Sequence, residues 1–114
     1  MVDSDTNKKI EELSLLEAHL QSMLAQKQSF QVELNEITNA LDELEKMPKN
    51  DEIYKVSYGI MLRSSKDKVI KELEEKKKLV DARISSVDRQ QTLIEKNIQQ
   101  TREEINGILS HKKK

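Results

Sequence analysis

The chain has 114 residues, 36 % of them charged and only 3 % aromatic, with a formal net charge of −1 and no cysteine. A length of this order allows one domain, and so few large apolar side chains favour a long helix or coiled coil over a compact globular core. The near-neutral balance speaks against nucleic acid as a partner. The lack of cysteine excludes disulfides and thiol chemistry, and no apolar run approaches the roughly 20 residues that span a bilayer.

The N-terminal Met1-Val-Asp-Ser-Asp-Thr6 reads as neither a signal nor a transit peptide, so a soluble cytoplasmic protein is expected. Residues 4–47 carry a sustained heptad. Leu13, Leu20, Leu34 and Leu41 hold one seam position, with Lys27 as its polar member, and Leu16, Met23, Phe30, Ile37 and Leu44 follow three residues after each. That 3–4 spacing is a coiled-coil signal and predicts a first helix on the order of 60 Å long. Ser4, Asp5 or Thr6 is its expected cap. Pro48 ends it, because the residue before a proline is pushed out of the α region, and Lys49-Asn50-Asp51 reads as a turn.

Residues 53–64 change period. Tyr54, Val56, Tyr58, Ile60 and Leu62 recur every second residue, which is strand chemistry. Gly59 is placed to serve a hairpin turn, where positive φ costs glycine little. An isolated two-stranded hairpin is marginal in water and has open edges, so this one is expected to pair with other chains.

Residues 65–110 form the second predicted helix, capped by Ser64 or Ser65, with residues 111–114 as a basic tail. Its seam runs Val69, Leu73, Lys76, Val80, Ile84, Val87, Gln91, Ile94, Ile98, Thr101, Ile105, Ile108. Asp67–Lys71, Glu72–Lys76 and Glu74–Lys78 are spaced as i,i+4 ion pairs on a solvated face. Folding the chain about its midpoint sets the helices antiparallel, with Leu44 near Val69, Phe30 near Arg83 and Leu13 near Ile98. In that register Ile105, Ile108 and Leu109 lie opposite residues 3–7, which offer no large apolar partner. An overhanging apolar cluster is therefore expected there, joined by Ile10 and Leu15, and such a cluster on a solvated helix pair is a binding surface or a liability.

No chemistry-bearing constellation accompanies these elements. His19 and His111 stand apart from any convergent ligand set, the carboxylates lie on solvated faces, and Gly59 and Gly107 form no phosphate loop. The expectation is a protein without catalytic residues, metal or cofactor. Heptads by themselves also fit a structural or adaptor coiled coil that handles no clients; the strand pair argues for more, since a plain coiled coil has no use for it.

The segment Asp51-Glu-Ile-Tyr-Lys-Val-Ser-Tyr-Gly-Ile-Met-Leu-Arg63, followed by Lys66-Asp67 and Val69-Ile-Lys-Glu-Leu73, resembles the passage that leads out of the first coiled coil in beta-type members of the prefoldin family. Leu41-Asp-Glu-Leu-Glu-Lys46 is similar to that family's end of helix one, and a single hairpin marks the beta type. Ser65 stands where the family often has an acidic residue, and Tyr58-Gly59 replaces the usual Gly-polar step. The resemblance covers essentially the whole chain. It implies a mainly α fold, a long antiparallel coiled-coil hairpin whose β-hairpin pairs with other subunits into a β-barrel. It also implies a hetero-hexameric, ATP-independent holdase of two alpha-type and four beta-type subunits, which captures unfolded polypeptides at coiled-coil tips and delivers them to a group II chaperonin. On that basis Ile53, Tyr54, Val56, Tyr58, Ile60 and Leu62 are the expected oligomerisation residues, four of them (Tyr54, Val56, Ile60 and Leu62) facing one shared core. Ile10, Leu13, Leu15, Leu16, Ile105, Ile108 and Leu109 are the expected client-binding residues, and Lys112, Lys113 and Lys114 the expected chaperonin-docking residues. Neither nucleic acid nor membrane is an expected partner.

Overall fold

The structure is a computed structural model and describes residues 3–112. Helix α1 runs Ser4–Lys46, strands β1 and β2 run Ile53–Ser57 and Ile60–Ser64, and helix α2 runs Lys66–Lys112. The predicted elements are all present, with boundaries shifted by at most two residues. The expected cap of α1 is corrected: Asp3 takes the role, its Oδ1 accepting a hydrogen bond from the Thr6 amide at 2.8 Å. Asp3 is a carboxylate at a helix N-terminus, where negative charge is favoured.

The exit from α1 is fixed by the residues around Pro48. The Met47 amide bonds back to Leu44 O at 3.2 Å, tightening the last turn, and the Asp51 amide closes the next turn on Pro48 O at 3.1 Å. Lys66, the first residue of α2, donates from Nζ to Met47 O at 2.8 Å. A cation on the open carbonyl end of a helix satisfies an orphan acceptor and suits the helix dipole. The same lysine thereby ties the start of α2 to the end of α1. Ser65 caps α2 as expected, accepting from the Lys68 amide at 3.3 Å.

The strands form a two-stranded antiparallel sheet in the register Ile53↔Ser64, Tyr54↔Arg63, Lys55↔Leu62, Val56↔Met61 and Ser57↔Ile60. Tyr58 and Gly59 make the connection with φ of 52° and 76°. Two consecutive positive φ values are the signature of a type I′ turn, whose twist matches that of the strands. Tyr58 is therefore a turn residue and not a strand residue.

The chain divides into two packed units, Ser29–Ile84, which holds the sheet, and Met1–Gln28 with Ser85–Lys114. Each helix contributes a segment to both. In the hairpin-bearing unit Ile37, Leu44, Ile53 and Val80 are buried, and the Arg83 guanidinium lies 5.8 Å from the Phe30 ring centroid, a cation–π contact at the expected register. In the terminal unit Met23, Val87, Ile94, Ile98, Thr101 and Ile105 are buried. Two of the polar seam residues, Lys27 and Gln91, meet there. Lys27 Nζ lies 2.6 Å from Asp88 Oδ1 and 3.5 Å from Gln91 Oε1. The i,i+4 pairing expected on α2 is replaced for two of its members by longer-range partners: Glu72 engages Lys55 at 2.9 Å and Lys76 engages Glu33 at 3.4 Å.

Candidate functional site

The hairpin is the first candidate surface. Strand pairing dictates its two faces, because residues directly opposite one another in an antiparallel pair share a face. Tyr54, Val56, Met61 and Arg63 therefore lie on one side, and Ile53, Lys55, Ser57, Ile60 and Leu62 on the other. The expectation that Tyr54, Val56, Ile60 and Leu62 face the same way is wrong. A two-residue turn joins an even-numbered residue on one strand to an odd-numbered one on the other, so the period-two pattern changes face at the turn. Met61 and Arg63 were missed for that reason, and recognising Tyr58-Gly59 as the turn finds them.

The two faces differ in what they meet within the subunit. Ile53 is buried, and Lys55 donates to Glu72 Oε2 on α2 at 2.9 Å. Hydrogen bonding from Lys55 holds the Glu72 carboxyl below its ordinary value. Beside this pair lies a groove of about 550 Å³ lined by Val69, Leu73 and Leu79. The opposite face is open, with Val56 at 68 % and Met61 at 67 % exposure, and the Tyr58 side chain on the turn is fully exposed. Tyr54 OH donates to Glu52 Oε2 at 2.9 Å, and Arg63 donates to Glu52 Oε1 at 3.5 Å, which draws a charged rim along that face.

The second candidate surface is the terminal unit. Ile10, Leu15 and Leu109 are exposed, as are Leu24 and Leu93, which lie off the seam and away from the expected overhang. Leu13, Leu16 and Ile108 are half-buried. Ile105 does not overhang: it is 7 % exposed. Thr6, seven residues before Leu13 in the same seam series, is fully buried as well. Thr6 Oγ1 has no hydrogen-bond partner among the described residues.

One turn after Thr6, Lys9 pairs with Glu104, and the Glu17 carboxylate accepts from Arg102 at 3.3 Å. The Lys9 hydrogen bond and charge hold the Glu104 carboxyl below its ordinary value, and Glu104 in turn raises the Lys9 ammonium. Lys112 closes α2, whereas Lys113 and Lys114 lie outside the described residues. No helix among the described residues is long and apolar enough to cross a membrane.

Two long helices joined by a short antiparallel hairpin with exposed apolar residues define the class of protein, a coiled-coil subunit with a β-hairpin connection. Residues 7–112 match the profile of the prefoldin subunit family. The chain is 38 % identical over 98 residues to the prefoldin subunit beta of Pyrobaculum islandicum, covering 86 % of this chain and 78 % of that one. It is 31 % identical over 98 residues to the prefoldin subunit beta of Pyrococcus horikoshii, covering 86 % and 84 %. The crystal structure of the prefoldin beta subunit from Thermococcus strain KS-1 superposes with a TM-score of 0.88 at 28 % identity, covering 96 % of both chains. The chain belongs to the prefoldin family, as a subunit of its beta type, and as such it assembles with other prefoldin subunits into a chaperone.

Proposed function

We propose that this chain is one of four beta-type subunits which, with two alpha-type subunits, form a hexameric ATP-independent holdase working in the cytoplasm. The exposed apolar residues of the terminal unit take up unfolded polypeptide, and the complex passes it to a group II chaperonin, with Lys112, Lys113 and Lys114 as an electrostatic docking tag. Tyr54, Val56 and Met61 seat the hairpin in the assembly, joined by Ile60 and Leu62 from the other face. No catalytic residue, metal or cofactor enters this reading.

The observation that carries it is the exposure of Ile10, Leu15 and Leu109 in the terminal unit of a prefoldin-family chain. Unfolded clients present many apolar segments without fixed sequence, so several weak contacts from several subunits give tight holding without a formed pocket. A combined Ile10→Ser, Leu15→Ser, Leu109→Ser variant, assembled with an alpha-type subunit, tests it. The expected result is an intact hexamer by light scattering and a several-fold weaker suppression of aggregation of a guanidine-unfolded client. Undiminished suppression by the variant refutes the residue assignment. A wild-type complex that protects no client at all makes the chain an adaptor coiled coil instead.

A further inference from the structure

We propose that the Tyr58 ring at the hairpin tip docks in the groove between β1 and α2 of a second copy of this chain, each copy receiving the other's tip. The inference rests on the assembly role proposed above for the hairpin and deepens it, adding a side-chain contact to the seating of the strands. Two features of the hairpin-bearing unit have no counterpart within one subunit. The first is Tyr58, which holds a φ of 52° while its side chain is fully exposed. Positive φ is strained for a bulky residue, and a ring left in water buries no apolar surface to offset that strain. An outlier of this kind points to a contact made outside the subunit. The second is the groove of about 550 Å³ with Val69, Leu73 and Leu79 as its apolar wall, Leu79 itself being exposed. The subunit's own sheet does not fill it. Lys55 lines the groove, Leu62 stands directly opposite Lys55 on the same sheet face, and Leu62 and Ile60 are exposed.

Size, chemistry and reach agree. A space of this volume falls within the roughly 300–1,000 Å³ of pockets that enclose small organic groups, so one phenol ring enters it. Tyrosine is apolar along its ring and polar at its end. The groove is built in the same order, an apolar wall and then a charged rim of Lys55, Glu72 and Glu75. Glu72 is engaged by Lys55, which leaves the Glu75 carboxylate to accept from the Tyr58 hydroxyl of the incoming copy. Lys55 precedes Tyr58 by three residues, about 10 Å along an extended strand. Two hairpins lying side by side in opposite directions, offset by that distance, set each tip at the other's groove. Such a contact is self-complementary and closes on two copies instead of growing into a filament. The occupant is therefore a second copy of this chain, because one chain carries both halves of the contact.

A photoreactive aromatic tests the contact in the full complex with an alpha-type subunit. Tyr58→benzoylphenylalanine chains are mixed with heavy-isotope-labelled wild-type chains and irradiated, and the joined peptides are identified by mass spectrometry. The expected product joins position 58 of one copy to residues 69–79 of another. No such product, or products joined only to the alpha-type subunit, overturns the proposal. In a second arm the complexes are diluted and their dissociation is followed by native mass spectrometry. Tyr58→Asn suits the positive φ and removes the ring, so the subunit stays folded while the complex is expected to fall apart at a concentration at least about tenfold higher. Leu79→Arg, on the exposed wall of the groove, is expected to act in the same direction, and the double variant to lose little more than either alone. Fully additive losses, or a Tyr58→Asn complex that dissociates as the wild type does, overturn the contact. A wild-type chain that forms no complex with the alpha-type subunit is a failure of the assembly reading, and photoproducts between copies of this chain alone then decide the contact.

Discussion

Gly59 shows how much of the hairpin rests on one backbone position. Its φ of 76° lies where an L side chain is strained, and an added Cβ would meet nothing within 4 Å. Gly59→Ala is therefore expected to cost on the order of 1 kcal/mol through backbone conformation alone, with no clash. Urea unfolding of the assembled complex, set beside the wild type, checks it; a loss several times larger would place a partner atom against that position. Tyr58, beside it, holds a positive φ of 52° with a side chain that touches solvent only. A bulky residue in that region is uncommon, and asparagine is the residue that ordinarily fills it. Both glycine and tyrosine were visible in the sequence, but the turn type was not, since period two continues on paper straight through a turn that changes face.

Within the helices, the polar seam layer specifies register at some cost in stability, and the cross-helix ion pairs add a small, salt-sensitive stabilisation. Lys27 occupies a slot of leucines and is answered by Asp88 and Gln91. A single polar layer in an apolar seam specifies alignment and lowers stability. Lys27→Leu is expected to stabilise the helix pair by about 1 kcal/mol or more through burial of the aliphatic side chain. Thermal unfolding followed by circular dichroism reads this as a higher midpoint, and a lower one would show that the layer itself holds the pair together. The ion pairs set the pH response. Glu104 and Glu72 titrate below their ordinary 4.5, so their contribution is complete above that value and disappears as pH falls through the depressed range. Lys9 titrates above its ordinary 10.5, so its contribution is complete below that value and is lost as pH rises past it. The midpoint is thus expected to be flat with respect to these pairs across neutral pH and to fall in acid. Glu104→Gln with Glu72→Gln should reduce the acid fall, and salt should weaken all of these solvent-exposed pairs.

In the whole molecule the hairpin is the element proposed to seat the subunit in its assembly, and its two faces are not equivalent. On one face Lys55 bonds Glu72 of α2 and Ile53 is buried while Ile60 and Leu62 stay exposed; on the other Val56 and Met61 are the more open. Val56→Asp is therefore expected to break the hexamer into smaller species, because assembly would bury an unpaired charge, and Ile60→Asp to do so less completely. Size-exclusion chromatography with light scattering decides between them, and the reverse order would make the Ile60 face the one that meets other subunits. Element types, boundaries, the antiparallel register and the family were legible in the residues, because heptad spacing, Pro48 and the strand period are local signals. Phe30 against Arg83 met that register. Two features of the candidate sites were not legible: which strand residues share a face, and whether Ile105 is covered. The first depends on a two-residue turn whose backbone conformation is chosen by the strands it joins. The second depends on how the two helices pack in the terminal unit, which heptad spacing along a single helix does not encode. The sequence by itself determined a chain of two helices joined by a β-hairpin; only the tertiary structure decided which apolar residues are left open, because exposure belongs to pairs of surfaces brought together and not to residues one at a time.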